Sequence, residues 1–202
     1  MSTLFSVHSR KGQSLVEFAL ISPLLLLLIV SLFDAGRSIF FYEQMSAGAR
    51  EAGRQAVLLH NQGSNLYGYT CSPGPCSVPG VVQVVRNTAA FGFPVVYADS
   101  ASQAVPPSYG TYVANSDPTQ PGTITLASSA TPNTAYVFVY ELNPSSGPSP
   151  RWACSACGEA RLAGYSLIVV DIRMKFVPMT LISLGVQSGI TLDAQTVQRL
   201  EY

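Results

Sequence analysis

Gly12-Gln13-Ser14-Leu15-Val16-Glu17-Phe18, running into the uncharged apolar stretch 19–33, decides the reading of this chain. Within it, Leu24-Leu25-Leu26-Leu27-Leu28 is unbroken leucine and Ile29-Val30 extends it. Such a run favours hydrocarbon over water, and a span of about 17–25 residues crosses a bilayer core. The membrane span is placed at about 15–33. Its entrance carries one acid, Glu17, and an ionised carboxylate in lipid is costly enough to require a partner. Cutting the chain after Gly12 would supply one: the new ammonium of Gln13, on the same or a neighbouring subunit.

Outward from this run, His8, Arg10 and Lys11 all precede the span, so the positive-inside rule puts the N-terminus in the cytoplasm and the residues after Asp34 on the far side. A secretory signal peptide fits poorly. The apolar core exits through Leu32-Phe33-Asp34-Ala35-Gly36-Arg37, and the small-residue pattern Ala47-Gly48-Ala49 comes too late for signal peptidase. An uncleaved signal anchor is the competing reading.

Composition narrows the function. Charged residues make up 11% of the 202 and apolar residues 48%, with a formal net charge of zero. A charged share this far below the usual figure of about 25% argues against a disordered or highly solvated chain. With no basic cluster beyond Arg10-Lys11, nucleic-acid binding is excluded as a leading function.

Helix is expected across 13–60, interrupted in sequence only by Pro23. Met45, Ala49, Ala52, Ala56 and Leu59 fall at helical spacing and form a narrow stripe of mostly small side chains, suited to lying on the protein's own sheet or on another subunit. Residues 61–80 read as loop and 81–91 as a short amphipathic helix, with a strand as the alternative. Residues 94–122 read as irregular surface or a weakly specified strand pair, inside an irregular insertion covering about 94–160. Strands are expected at 123–126 and 134–142, the latter covered on both faces because aromatics alternate with valines. Trp152 is read as the tip of a turn-rich insertion. The clearest strand, 164–176, is expected to be half covered, with Asp171, Arg173 and Lys175 on an open face. A last strand covers 189–200. The fold class is therefore α+β: a long N-terminal apolar helix followed by a mostly antiparallel β-sheet domain, 61–202.

Four cysteines form two close pairs, Cys71/Cys76 and Cys154/Cys157. Outside the cytoplasm disulfides are the default, and the Pro73-Gly74-Pro75 turn favours a local Cys71–Cys76 bridge. A four-thiolate zinc site is the rival. No cofactor is expected, and catalysis has little support. His60 is the only histidine after the leader, and no nucleophile has a recognisable base beside it. Asp99, Asp117, Asp171 and Asp193 read as turn or surface residues. Tyr97, Tyr109, Tyr112 and Trp152 are read as packing, with an adhesive or glycan-contacting surface as the alternative.

Gly12-Gln13-Ser14-Leu15-Val16-Glu17-Phe18-Ala19-Leu20 with Pro23-Leu24-Leu25-Leu26 resembles the start of the TadE-like pseudopilins, minor pilins of the tight-adherence (Tad, or Flp) pilus system. Asp34-Ala35-Gly36-Arg37, the stretch 49–56, and the closing Lys175-Phe176-Val177-Pro178-Met179, Gly189-Ile190-Thr191-Leu192 and Arg199-Leu200-Glu201 are similar as well. The middle of the chain has no such likeness. The resemblance implies a non-enzymatic subunit of the bacterial inner membrane, with a basic leader 1–12 cut after Gly12 by a prepilin peptidase. Glu17 and Gln13 would then serve in processing and subunit docking. The implied partners are other pilins and pseudopilins of the Tad system and the pilus assembly platform, with a pilin-like domain in the periplasm or the extracellular pilus, serving adhesion or secretion. The alternatives are an uncleaved single-span envelope protein whose domain binds a ligand or scaffolds a complex, and a tethered zinc or thiol enzyme.

Overall fold

The computed structural model describes residues 11–61, 80–88, 92–98, 106–144, 149–153, 166–183, 185 and 189–200. Helix α1 (Lys11–Asn61) runs unbroken for 51 residues with Pro23 inside it. At 1.5 Å per residue it is about 76 Å long. Its two halves differ in environment. The front is apolar and exposed. In the rear half Phe41, Met45, Ala49, Ala52 and Ala56 are all buried on the sheet. The small-residue stripe thus lies on the protein's own sheet, as its spacing allowed; the Leu59 side chain is outside the described residues.

The sheet has the order β1-β4-β6-β7, with β5 also paired to β4. Strand β4 (Ala135–Leu142) pairs antiparallel with β6 (Ser166–Phe176) from Ala135↔Met174 to Leu142↔Leu167. Strand β6 pairs antiparallel with β7 (Ile190–Leu200) from Ser166↔Leu200 to Phe176↔Ile190. On the other edge of β4 two short strands lie end to end. The first is β1 (Val95–Tyr97), parallel, opposite Ala135–Val137; the second is β5 (Arg151–Trp152), antiparallel, opposite Tyr140 and Glu141.

Each face of the sheet has its own cover. Alternate residues of β4 and β6 (Val137, Val139, Ile168, Val170, Ile172) meet α1 and helix α2 (Val81–Thr88). The opposite set (Tyr136, Phe138, Tyr140, Leu167, Val169) packs under a hairpin of β2 (Gly110–Val113) and β3 (Thr123–Leu126), chiefly through Tyr112, Ile124 and Leu126. The domain is a helix–sheet–hairpin stack, an α+β fold.

Several expectations change here. Strand β6 is covered on both faces, because the hairpin closes the side read as open: Asp171 and Arg173 are buried. Trp152 is buried rather than at a tip, tilted against Tyr140 and edge-on to Tyr112 at centroid distances of 5.0 and 5.5 Å. Within 94–160 the strands expected at 123–126 and 134–142 are present as β3 and β4, the latter buried along its whole length as read, and β1, β2 and β5 join them in the described residues. Residues 81–88 are helical, as preferred from the sequence.

Asn133 makes the turn into β4 with φ 56°, a left-handed conformation that asparagine tolerates. Its side chain accepts from the Val177 N–H at 3.0 Å and donates to the Val177 carbonyl at 3.3 Å, tying that turn to the end of β6. Helix α3 (Met179–Ser183) follows directly, between β6 and β7.

Candidate functional site

The exposed front of α1 is the first part of the site. From Leu15 to Phe33 its large apolar side chains face outward, with Leu32 and Phe33 more than 70% exposed. The helix is long and apolar enough to cross a membrane, and its most apolar window is not buried anywhere in the fold. Gly12, Gln13 and Glu17 occupy the first two turns of this stem, with Gly12 and Glu17 exposed. Gln13 and Glu17 are four residues apart and share a helix face. The stem's own hydroxyls turn inward: Ser31 donates to the Leu27 carbonyl at 2.7 Å and Ser38 to that of Ala35 at 2.8 Å. A polar group in a lipid-facing helix is thereby satisfied locally.

The second part is the junction where the stem meets the domain. Asp34 is only 7% exposed. One oxygen accepts the Met179 N–H at 3.0 Å; the other accepts the Thr180 N–H at 3.2 Å and the Thr180 hydroxyl at 2.8 Å. The carboxylate therefore supplies the first amides of α3 with the acceptors that a helix start lacks. One turn on, the Arg37 guanidinium lies 4.9 Å from the centre of the Phe41 ring, and Phe41 packs edge-on against Phe93 and Phe176. The chain thus passes from outward-facing apolar stem to core within two turns.

Asp34 carried no assigned role in the sequence reading. The signal was nevertheless present: an acid at the exit of an apolar run needs a partner for the same reason as Glu17 at its entrance. What the sequence could not show was that the partner comes from residues 179 and 180.

A separate polar cluster sits inside the sheet–hairpin layer. The Asp171 side chain is fully buried and receives Arg173 Nε at 3.0 Å and Nη2 at 3.0 Å, a fork geometry, together with Gln195 Nε2 at 3.2 Å. Gln195 also reaches the Tyr140 hydroxyl at 3.4 Å. Burial pushes the Asp171 carboxyl above its ordinary range, against the pull of Arg173. Burial, helped by the Asp171 charge, pushes the Tyr140 hydroxyl up strongly. The surface reading of Asp171 is therefore corrected: it lies on the face of β6 covered by the hairpin that pairs β3, expected at 123–126, with β2 from the weakly periodic stretch before it. Asp117 is a turn residue as expected, accepting from the Thr119 N–H and hydroxyl at 2.8 and 2.7 Å.

Among the described residues, no group of three or more His, Cys, Asp or Glu side chains is placed to hold a metal ion. Cys71, Cys76, Cys154 and Cys157 lie outside the described residues, as do Asp99 and the His60 side chain.

Residues 12–54 match the family model of TadE-like proteins. The stem is TadE-like. The TadE-like segment opens at Gly12, takes in Glu17, Asp34 and Arg37, and ends within the stretch of α1 that lies on the sheet, one residue past Gly53. It fits a TadE-like protein of Tad pilus systems. No curated protein and no solved structure matches the chain.

Proposed function

We propose that the chain is a minor pseudopilin that takes part in assembling a Flp-type pilus for adhesion or secretion. It enters the inner membrane with its N-terminus in the cytoplasm and is cut after Gly12 by a prepilin peptidase. Its α+β domain stands in the periplasm or on the outside of the filament, and its role is structural rather than enzymatic. The single observation that carries this reading is a TadE-like segment, beginning at Gly12, that coincides with an outward-facing apolar stem continuous with the domain core. A stem of this kind can exchange lipid for the stems of other pilins without disturbing the domain, since its side chains take no part in the core.

Glu17 is the docking group in this reading. An acid and a new ammonium at Gln13 neutralise each other in a poorly screened medium, and a misplaced subunit would leave one charge alone, so the pair sets register. Intact-mass measurement of the protein from its own host tests the processing: the reading requires a mature chain beginning at Gln13, and a chain retaining Met1 or Ser2 favours the uncleaved anchor. Glu17→Ala is expected to insert in the membrane yet fail to enter filaments; normal filament incorporation would remove Glu17 from the docking role.

A further inference from the structure

Next to the junction, Leu32, Phe33, Gly36, Arg37 and Phe40 line an open groove of about 390 Å³. Its lining is apolar except for Arg37. The Arg37 Nη1 atom is shielded from solvent and has no hydrogen-bond partner among the described residues. A desolvated guanidinium N–H without an acceptor costs free energy comparable to a lost hydrogen bond. The carboxylate nearest in sequence does not answer it through its own bonding: both oxygens of Asp34 are turned to the α3 donors. The cation is also held in place, by its contact with the Phe41 ring.

The depth of the groove points to its occupant. From Leu15 to Arg37 the helix rises about 33 Å, whereas the hydrocarbon core of a bilayer is about 30 Å thick. With Leu15 at one edge of the hydrocarbon, Arg37 stands at the level of the opposite headgroups, while Leu32 and Phe33 still face acyl chain. A guanidinium forms paired bonds to phosphate oxygens. We propose that this groove binds a phospholipid of the leaflet on the domain side, its phosphate on Arg37 and the start of an acyl chain along Leu32 and Phe33, with Phe40 closing the groove on the domain side. The proposal rests on the membrane reading of the stem. It adds to that reading a specific lipid site, which would fix the height and rotation of the subunit before it enters a filament.

The test uses the full chain in detergent, with native mass spectrometry as the readout and two probes, phosphatidylglycerol and the phosphate-free diacylglycerol of the same acyl chains. Phosphatidylglycerol is expected to bind the unaltered protein about tenfold more tightly than Arg37→Gln, a difference of about 1.4 kcal/mol. Diacylglycerol should bind both weakly and equally. Gly36→Leu gives an independent check: Gly36 lines the groove and a Cβ there meets nothing within 4 Å, so the added side chain starts in open space beside the proposed lipid. It too should lose phosphatidylglycerol. Equal binding by all three proteins overturns the proposal, as does competition by millimolar inorganic phosphate, which would make the site one for free phosphate. Release of the unaltered chain from membranes by alkaline carbonate would remove the membrane reading, and the lipid site with it. Membrane retention with unaltered lipid binding in Arg37→Gln would remove the site alone.

Discussion

The Thr180 hydroxyl donates a 2.8 Å hydrogen bond to Asp34 across 146 positions of chain. With the two amide donors beside it, this contact ties the β6–β7 connection to the point where the stem leaves the domain. Hydrogen bonds to a charged group contribute about 1.5–3 kcal/mol, so Asp34→Ala should lower the unfolding free energy in urea by about 2–3 kcal/mol. Thr180→Val removes only the hydroxyl and should cost about 1 kcal/mol. The sharper readout is geometric. Spin labels at Leu28 on the stem and Thr191 on β7 should give one narrow distance distribution in the unaltered protein and a broad one in Asp34→Ala.

The Asp171–Arg173 pair predicts an asymmetry between single and double substitutions. Removing one member strands a buried charge, so Asp171→Ala should destabilise by about 3–5 kcal/mol. Replacing both with apolar residues of similar volume, Asp171→Leu with Arg173→Met, should restore most of that loss. Thermal or urea unfolding of the three proteins decides it; a double variant as unstable as Asp171→Ala would show that the cluster supports the hairpin through something other than charge pairing.

The same carboxyl sets a pH dependence with a definite sign. Its folded value lies above the ordinary 3.8, so between those two values the native state holds a proton that the unfolded chain has released. Stability contributed by Asp171 is therefore fully present below the unfolded value, falls as pH rises through the window, and is level above the folded value. Measured against Asp171→Asn across a urea series from about pH 3.5 to 7, the stability difference should shift against the unaltered protein as pH rises. A shift in the opposite direction would mean that Arg173 outweighs burial.

Gly53 predicts an overpacking effect where α1 crosses β7. A Cβ there would sit 2.7 Å from Thr196 Cγ2 and 3.2 Å from Gln198 Cγ. Gly53→Ala gains helix propensity, about 1 kcal/mol, but must push the helix off the strand, which costs about 1–3 kcal/mol. The expected outcome is a net loss in urea unfolding, with Gly53→Ala partly rescued by Thr196→Ser, which removes the nearer methyl.

The parts of the fold that announce themselves in the sequence are those with a long period. The stem reads from 18–33 alone, and the buried stripe of α1 from the spacing of Met45, Ala49, Ala52 and Ala56. Strands β4, β6 and β7 read from alternation over eight residues or more. Strand β1 is three residues, too short to carry a period, and its parallel pairing with β4 leaves no local mark. The covering hairpin β2–β3 arises from a stretch rich in serine, proline and threonine, where Tyr112, Ile124 and Leu126 are the side chains that pack on the sheet. Strand β3 was read at 123–126, but its pairing with β2 and its place over the sheet were not, so Asp171 and Arg173 looked like an open polar face. Of the junction, Asp34 was visible and its partners were not, since nothing in the residues at 179 and 180 points back along the chain.

One property of α1 has a mechanical outcome. The stem and the helix that lies across β6 and β7 are the same rod, with no linker between them. Any pull exerted on the anchored end arrives in the domain as a sliding load, spread over Met45, Ala49, Ala52 and Ala56 together, so the subunit should bear tension without its fold being peeled open from an edge.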